Sequence, residues 1–393
     1  MRNALHAVVS TTPLVTVAEA RAPIVYGIVQ PGPETPGGVP FVQSRDVGGI
    51  VAVSSLQRTS PEIAEQYRRS KIAPGDILFS LRGNIGQSSI TPAELDGANI
   101  ARGVARIRVG AKGDPEFVRY VLQGPALQRL IARNANGSTF RELSIEELRK
   151  LPIPDVGLPE QRKIAEILRT WDEAIERLEA LRAAKEHQLE GFTARLIHGA
   201  QAAPQHLREH LSEVSERNLG QCVDRILSVT NSAGFVLAED QFAHRVASAD
   251  TSNYKIVRQG QYAYNPSRIN VGSIARLDDW PEGALSPMYV VFELRGTLDS
   301  DFFSHWLRSG EARKRIALAA QGSVRNTVSF GDLGAILLPL PPIEEQRHIA
   351  RALSATKEEL SLLDKEVEAL TRQKRGLMQK LLTGEWRVQT EAD

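Results

Sequence analysis

Between Glu160 and Gly199 the apolar residues fall at alternating spacings of four and three: Ile164, Leu168, Trp171, Ile175, Leu178, then Leu189, Phe192 and Leu196. Arg182 and Lys185 interrupt the stripe. A period of 3.5 residues describes a narrow seam that wants a partner helix rather than a broad core face. The same phase returns in Ile349, Leu353, Leu360, Leu363, Val367, Leu370, Leu377 and Leu381, interrupted by Thr356 and Lys374. The two stretches are copies. Each number in the second exceeds its counterpart by 185, from Glu160-Gln161-Arg162 against Glu345-Gln346-Arg347 to Gly199 against Gly384. Pro159 and Pro342 mark helix starts, and the two glycines mark ends. Each helix would be roughly 60 Å long.

Outside the helices the pattern changes to short apolar runs between turns. In the first half, Ser60-Pro61 opens a helix, Pro74-Gly75-Asp76 turns into a strand at Ile77-Leu78-Phe79-Ser80, and Asp114-Pro115 opens another helix. Ala105, Ile107 and Val109 alternate with Arg106 and Arg108, which predicts a strand with one apolar and one basic face. Ser144 and Glu147 have capping-box spacing. The second half retraces this plan in different residues. Gly75 falls on Gly260, the strand after it on Tyr262-Ala263-Tyr264, Ile107 on Phe292, Gly137-Ser138 on Gly322-Ser323, and Ser144 on Ser329. The repeat is therefore a whole half-chain. The resulting fold class is α+β: two pseudo-repeated α/β domains separated by two long helices. Residues 1–150 form the first domain and 151–200 a connector and helix. Residues 201–337 form the second domain, 338–386 its connector and helix, and 387–393 a tail. Since the first helix leads from domain one to domain two and the second starts at domain two, paired helices must be antiparallel. Two different heads on an approximate twofold suit a bipartite, asymmetric site on duplex DNA, whose half-sites lie roughly 34 Å apart.

Composition narrows the chemistry. Across 393 residues the hydrophobic share is 42%, and no run approaches a membrane helix. No apolar leader follows Met1, so a cytoplasmic protein without membrane contact is expected. One cysteine, Cys222, excludes an internal disulfide and a cysteine-cluster zinc site, and the eight histidines show no metal-ligand spacing. A net charge of +1 means that any nucleic-acid contact comes from local patches. No phosphate-cradling glycine loop is present. Tyr264-Asn265-Pro266-Ser267 is close to the Asn-Pro-Pro-aromatic loop of adenine methyltransferases, but Ser267 breaks the pattern. Pro154-Asp155 with Glu160 is placed for capping rather than metal chemistry.

The candidate DNA readers lie in paired loops. Arg82, Asn84 and Gln87 follow the first strand, and Arg268, Asn270 and Ser273 follow its counterpart. Arginine, asparagine and glutamine are the side chains that read guanine and adenine edges bidentately. A second pair of loops supplies Ser138, Thr139 and Arg141, and Ser323, Arg325 and Asn326, suited to phosphate and base contacts.

The chain resembles the DNA-specificity subunit of type I restriction-modification systems over essentially its whole length. The resemblance rests on Leu151-Pro152-Ile153-Pro154 and Leu338-Pro339-Leu340-Pro341, each followed by Glu-Gln-Arg and an Ile-Ala pair. It also rests on Gly137-Ser138-Thr139, on Gly322-Ser323-Val324-Arg325, and on Lys374-Arg375-Gly376-Leu377-Met378-Gln379-Lys380-Leu381-Leu382-Thr383-Gly384. The first junction is two residues longer than the second. The resemblance implies a non-catalytic subunit in which two target-recognition domains read double-stranded DNA and the helices form an antiparallel coiled coil. It places S-adenosylmethionine and ATP on partners, namely two adenine methyltransferase (modification) subunits and restriction/translocase subunits, with no cofactor and no metal in this chain. The alternative is an orphan adenine-specific DNA methyltransferase using Tyr264 to Ser267.

Overall fold

The computed structural model describes residues 9–49, 53–135, 141–198, 202–241, 250–321 and 327–389. The chain divides into two compact units, Met1–Glu179 with Lys365–Asp393, and Ala180–Asp364. Each unit is built around a four-stranded antiparallel sheet of the same order.

In the first unit the order is Val25–Tyr26, Val104–Ile107, Ile77–Ser80, Ser88–Ile90. In the second it is Leu211–Val214, Val290–Leu294, Tyr262–Tyr264, Ile274–Arg276. The central pairs keep the sequence repeat: Ile77 faces Ile107 as Tyr262 faces Phe292. Two helices cover each sheet, Pro115–Gln123 and Pro125–Asn134 in the first unit, Ser300–Arg308 and Gly310–Gln321 in the second. The caps act as the sequence predicts at Ser60 and Asp114, whose side chains accept backbone N–H groups, and Asp299 caps the matching helix of the second unit in the same way. Ser144 accepts from the Glu147 N–H, but the reciprocal half of that box is replaced by Glu147 contacts to Lys150 and Asn134. At Ser329 the box is complete, with Asp332.

The basic face expected at Arg106 and Arg108 is not a surface. Arg106 is buried and donates to the Lys71 and Pro23 carbonyls, while Arg108 forms a two-pronged bond to Asp76 at 2.7 Å. Both faces of this strand are covered, because a second sheet, Arg58–Thr59, Val39–Val42 and Asn99–Ile100, lies beyond it, and Leu78 and Val104 of the first sheet share a small core with Val42 and Ile100 of the second. Burial favours the uncharged form of Arg106, so its pKa is pulled down, whereas the hydrogen-bonded Asp76 carboxylate holds that of Arg108 up.

The Leu-Pro-x-Pro connectors are strands. Pro152–Pro154 pairs antiparallel with Thr11–Pro13, and Leu337–Pro339 with Pro204–His206. Each two-stranded ribbon leads into a long helix, Leu158–Thr193 or Ile343–Leu382. Within the first unit, Ile164 and Leu168 of one helix and Leu381 of the other are buried in the core, and Ile175, Leu178, Val367, Leu370 and Leu377 are half-buried. Within the second, Ile349, Leu353, Leu360 and Leu363 are buried and Leu189 is half-buried. Asp172 meets Lys374 in the first unit, and in the second Arg182 meets Asp364 and Lys185 meets Glu359. Rising numbers on one helix pair with falling numbers on the other, so the helix pairs are antiparallel. Three of the four interruptions in the apolar stripes, Arg182, Lys185 and Lys374, are thus interhelical ion pairs, while the Thr356 hydroxyl donates to the Ala352 carbonyl of its own helix.

The seam departs from its predicted phase at one end. Phe192 is 39% exposed and Leu196 half-buried, whereas Ile197 is fully buried. Residues Ala194–His198 form a turn of π-helix, and its i to i+5 bonding adds a residue to the turn, which rotates Ile197 onto the core.

Candidate nucleic-acid interface

The repeated Glu-Gln-Arg at the helix starts is structural. Gln161 accepts from the Asp114 N–H at 2.8 Å and donates to the Val156 and Lys112 carbonyls. Gln346 does the same with Asp299, Pro341 and Thr297. Each glutamine ties its long helix to the turn that starts the domain's covering helix. Glu160 accepts two bonds at 2.7 Å from Arg387, which hold its carboxyl below the ordinary range, while Glu345 is exposed. This arrangement is unsuited to a metal or nuclease centre. Among the described residues no group of three or more acidic, histidine or cysteine side chains could hold a metal ion.

The loops expected to read DNA leave the end of the central strand in each unit. In the first, the loop closes with the Ser80 N–H on the Gln87 carbonyl, and the Leu143 N–H binds the Leu81 carbonyl. Residues 142–143 therefore lie beside Arg82. In the second, the Asn265 N–H binds the Ser273 carbonyl, and the Val328 N–H binds the Pro266 carbonyl. Here Val328 lies beside the start of the Arg268 loop. Ser138, Thr139, Ser323, Arg325 and Asn326 lie outside the described residues.

The remaining predicted readers divide sharply. Gln87, Arg141, Arg268 and Asn270 are exposed, and Arg82 is 40% exposed with its guanidinium on Glu142. Asn84 is not a reader: its Nδ2 donates to the Val47 carbonyl and its Oδ1 accepts from the Ser80 hydroxyl at 2.6 Å, so both ends of the amide are used to fold the loop. Ser273 is not a reader either. It is 3% exposed and donates to the Val229 carbonyl at 2.7 Å. A polar side chain made to hold its own loop looks the same in sequence as one facing a ligand.

Further polar side chains join these surfaces from distant segments. Ser44 binds the Gly103 carbonyl, which brings exposed Arg45 and Arg102 toward Arg82. In the second unit the turn of the Leu227–Thr230 and Gly234–Leu237 hairpin presents exposed Asn231 and Ser232 next to Gly272. No local sequence signal marks these residues, because the contacts that gather them span up to 59 positions.

The segment resembling a methyltransferase loop is a turn. Asn265 Oδ1 accepts from its own Ser267 N–H, and the Tyr264 ring is wholly buried, where burial raises the pKa of its phenol. The motif's aromatic position, three residues after Asn265, is occupied by Arg268, so no ring stands there to stack on an extruded base.

The geometry defines a protein with two related α/β heads, each with its own loop cluster beside an antiparallel helix pair. Residues 33–185 match the family model described as the type I restriction modification DNA specificity domain. The specificity subunit of the type I restriction enzyme EcoBI from Escherichia coli is 32% identical over 157 residues, 39% of this chain and 33% of that protein. The match thus spans a third of that relative's length. A Methanocaldococcus jannaschii protein, MjaX, named as a type I restriction enzyme specificity subunit, is 24% identical over 375 residues, 83% of this chain and 82% of that one. Among solved structures, the S subunit of a type I restriction-modification system from M. genitalium aligns with a TM-score of 0.57 at 17% identity. That alignment covers 97% of this chain and 98% of the other. A chain from work on complex assembly and conformational transition of the type I R-M system aligns with a TM-score of 0.56 at 16% identity, over 96% and 98%. Residues 33–185 are thus similar to the type I restriction modification DNA specificity domain, and the whole chain shares the fold of the two solved structures. No described helix is long and apolar enough to cross a membrane.

Proposed function

We propose that this chain is the non-catalytic subunit of a type I restriction-modification complex that reads a bipartite, asymmetric site on double-stranded DNA, one half-site per unit. The observation that carries this reading is the pair of equivalent loop clusters. In each, the loop after the central strand is bonded to a segment distant in sequence, Leu143 to Leu81 in one unit and Val328 to Pro266 in the other. Each exposes side chains suited to base edges and phosphates, Gln87, Arg102 and Arg141 in one unit and Arg268 and Asn270 in the other. The heads differ in sequence while their scaffolds coincide, so the two half-sites differ. Methyl transfer from S-adenosylmethionine to adenine then belongs to two modification subunits, and ATP-driven translocation and cleavage to restriction subunits, in the cytoplasm where the DNA lies.

The test is to combine the purified chain with an adenine methyltransferase subunit and map methylated adenines on genomic DNA. The expected result is methylation at one asymmetric bipartite sequence by the complex and none by the chain alone. Methyl transfer by the isolated chain would overturn the assignment.

A further inference from the structure

The loops after the central strands share a sequence motif and present it in opposite ways. Arg82-Gly83-Asn84-Ile85-Gly86 aligns with Arg268-Ile269-Asn270-Val271-Gly272. In the first unit Ile85 packs against the core and Asn84 is spent on internal hydrogen bonds. In the second the core contact is made two positions earlier, by Ile269, which is 2% exposed and stands where the first loop has Gly83. Moving the anchor back turns the rest of the motif outward, so Asn270 is exposed and Val271 is 59% exposed.

This loop is not slack. The Val271 N–H binds the Arg268 carbonyl, the Gly272 N–H binds the Ile269 carbonyl, and the Ser273 N–H also binds the Arg268 carbonyl. Gly272 has φ of 97°, a left-handed conformation that closes the turn and that a side-chain-bearing residue would resist. Val271 is thus an apolar branched side chain held outward, following exposed Arg268 and Asn270 in the loop, with the core's demand for an apolar residue already met by Ile269. In the major groove the only apolar feature of a base edge is the thymine C5-methyl, and side-chain methyl groups are its usual contact.

We propose that Val271 is a specificity-determining residue that packs on the C5-methyl group of a thymine in the half-site read by the second unit. The inference rests on the DNA-reading role proposed above. The first unit, with Ile85 turned inward, makes no such contact through its equivalent position.

The test uses the complex with its methyltransferase subunit and duplexes carrying the mapped site, in which each thymine of the second unit's half-site is replaced in turn by deoxyuridine, removing one methyl group. That half-site is assigned as the one whose recognition changes on Arg268→Ala. For the unaltered complex, one replacement should weaken binding roughly threefold to fivefold, the value of one methyl group taken out of water. Val271→Ala should weaken binding to the thymine duplex similarly and abolish the distinction at that position. Val271→Ile, which keeps the branched methyl, should preserve it. An unaltered complex that ignores every thymine methyl in that half-site overturns the proposal, as does a Val271→Ala complex that still distinguishes the two duplexes. A complex with no bipartite sequence preference at all would instead overturn the parent reading.

Discussion

In the first unit the asparagine of the shared loop motif is turned in and the arginine is tied to Glu142; in the second both Asn270 and Arg268 stand free at the surface. The scaffolds beneath are nearly superimposable in connectivity, down to the glutamine that clamps each long helix. Strand order and clamp belong to the repeat, while which loop side chains face outward is set by where one apolar anchor meets the core, Ile85 or Ile269. The cores differ as well. The second unit stacks Tyr262 on Phe292 and Phe303 on Trp306, with ring centroids 5.3 and 5.6 Å apart. The first places the Tyr120 hydroxyl on Asp172, which also takes Lys374 from the other helix. One unit thus relies on aromatic packing where the other links its head to its helix pair through a polar network.

The equivalence of the two units is strongest at the clamps. Gln161→Ala and Gln346→Ala each strand a backbone N–H and two carbonyls, and each should destabilise its unit by about 2–4 kcal/mol in denaturant unfolding. A large difference between them would show that the two clamps are not equivalent.

Next come the loops. Asn270→Ala should leave the unfolding midpoint unchanged and cost about 1–3 kcal/mol in recognition of one half-site, read from methylation of base-substituted duplexes. Asn84→Ala should instead cost about 1–2 kcal/mol of stability through loss of two internal hydrogen bonds. Equal effects of both substitutions on stability would erase the distinction between inward and outward asparagine.

The helix starts offer a smaller contrast. Glu160→Ala removes the buried partner of the exposed Arg387 and should cost about 1–2 kcal/mol, while Glu345→Ala should stay within about 0.5 kcal/mol. Thermal unfolding of the pair checks this.

The smallest effect concerns pH. Burial pulls the pKa of His305 down to about 4, helped by the Arg308 and Lys357 charges, and its Nε2 lies 2.9 Å from the Ser354 hydroxyl. The folded state favours the neutral ring, so its contribution is present above the ordinary histidine pKa and is lost as pH falls from about 6.5 toward 4. Glu160, held below the ordinary carboxylate range, contributes above that range and loses its contribution only as pH falls through its own lower pKa. On acidification the second unit should therefore weaken before the first. In His305→Gln the melting temperature should fall less between pH 6.5 and 5 than in the unaltered protein.

Much of the fold was legible in the sequence. The 185-residue register, read from Glu160 and Glu345, carries through strand pairing, caps and clamps, because periodicity and capping are local properties that a repeat states twice. The long helices and their antiparallel sense follow from a 3.5-residue stripe and chain order. What the sequence could not state is which polar residues face outward. Asn84, Ser273 and Arg106 have the composition of a reading surface, and all three are consumed internally by partners up to 83 positions away. Arg45, Arg102 and Asn231 join the surface through folds of the chain that no local pattern records. Even the seam lost its phase where one π-turn exchanged Leu196 for Ile197. Local chemistry determined the elements and their repetition; the direction of each side chain was decided only when distant segments competed for the same hydrogen bonds and the same core.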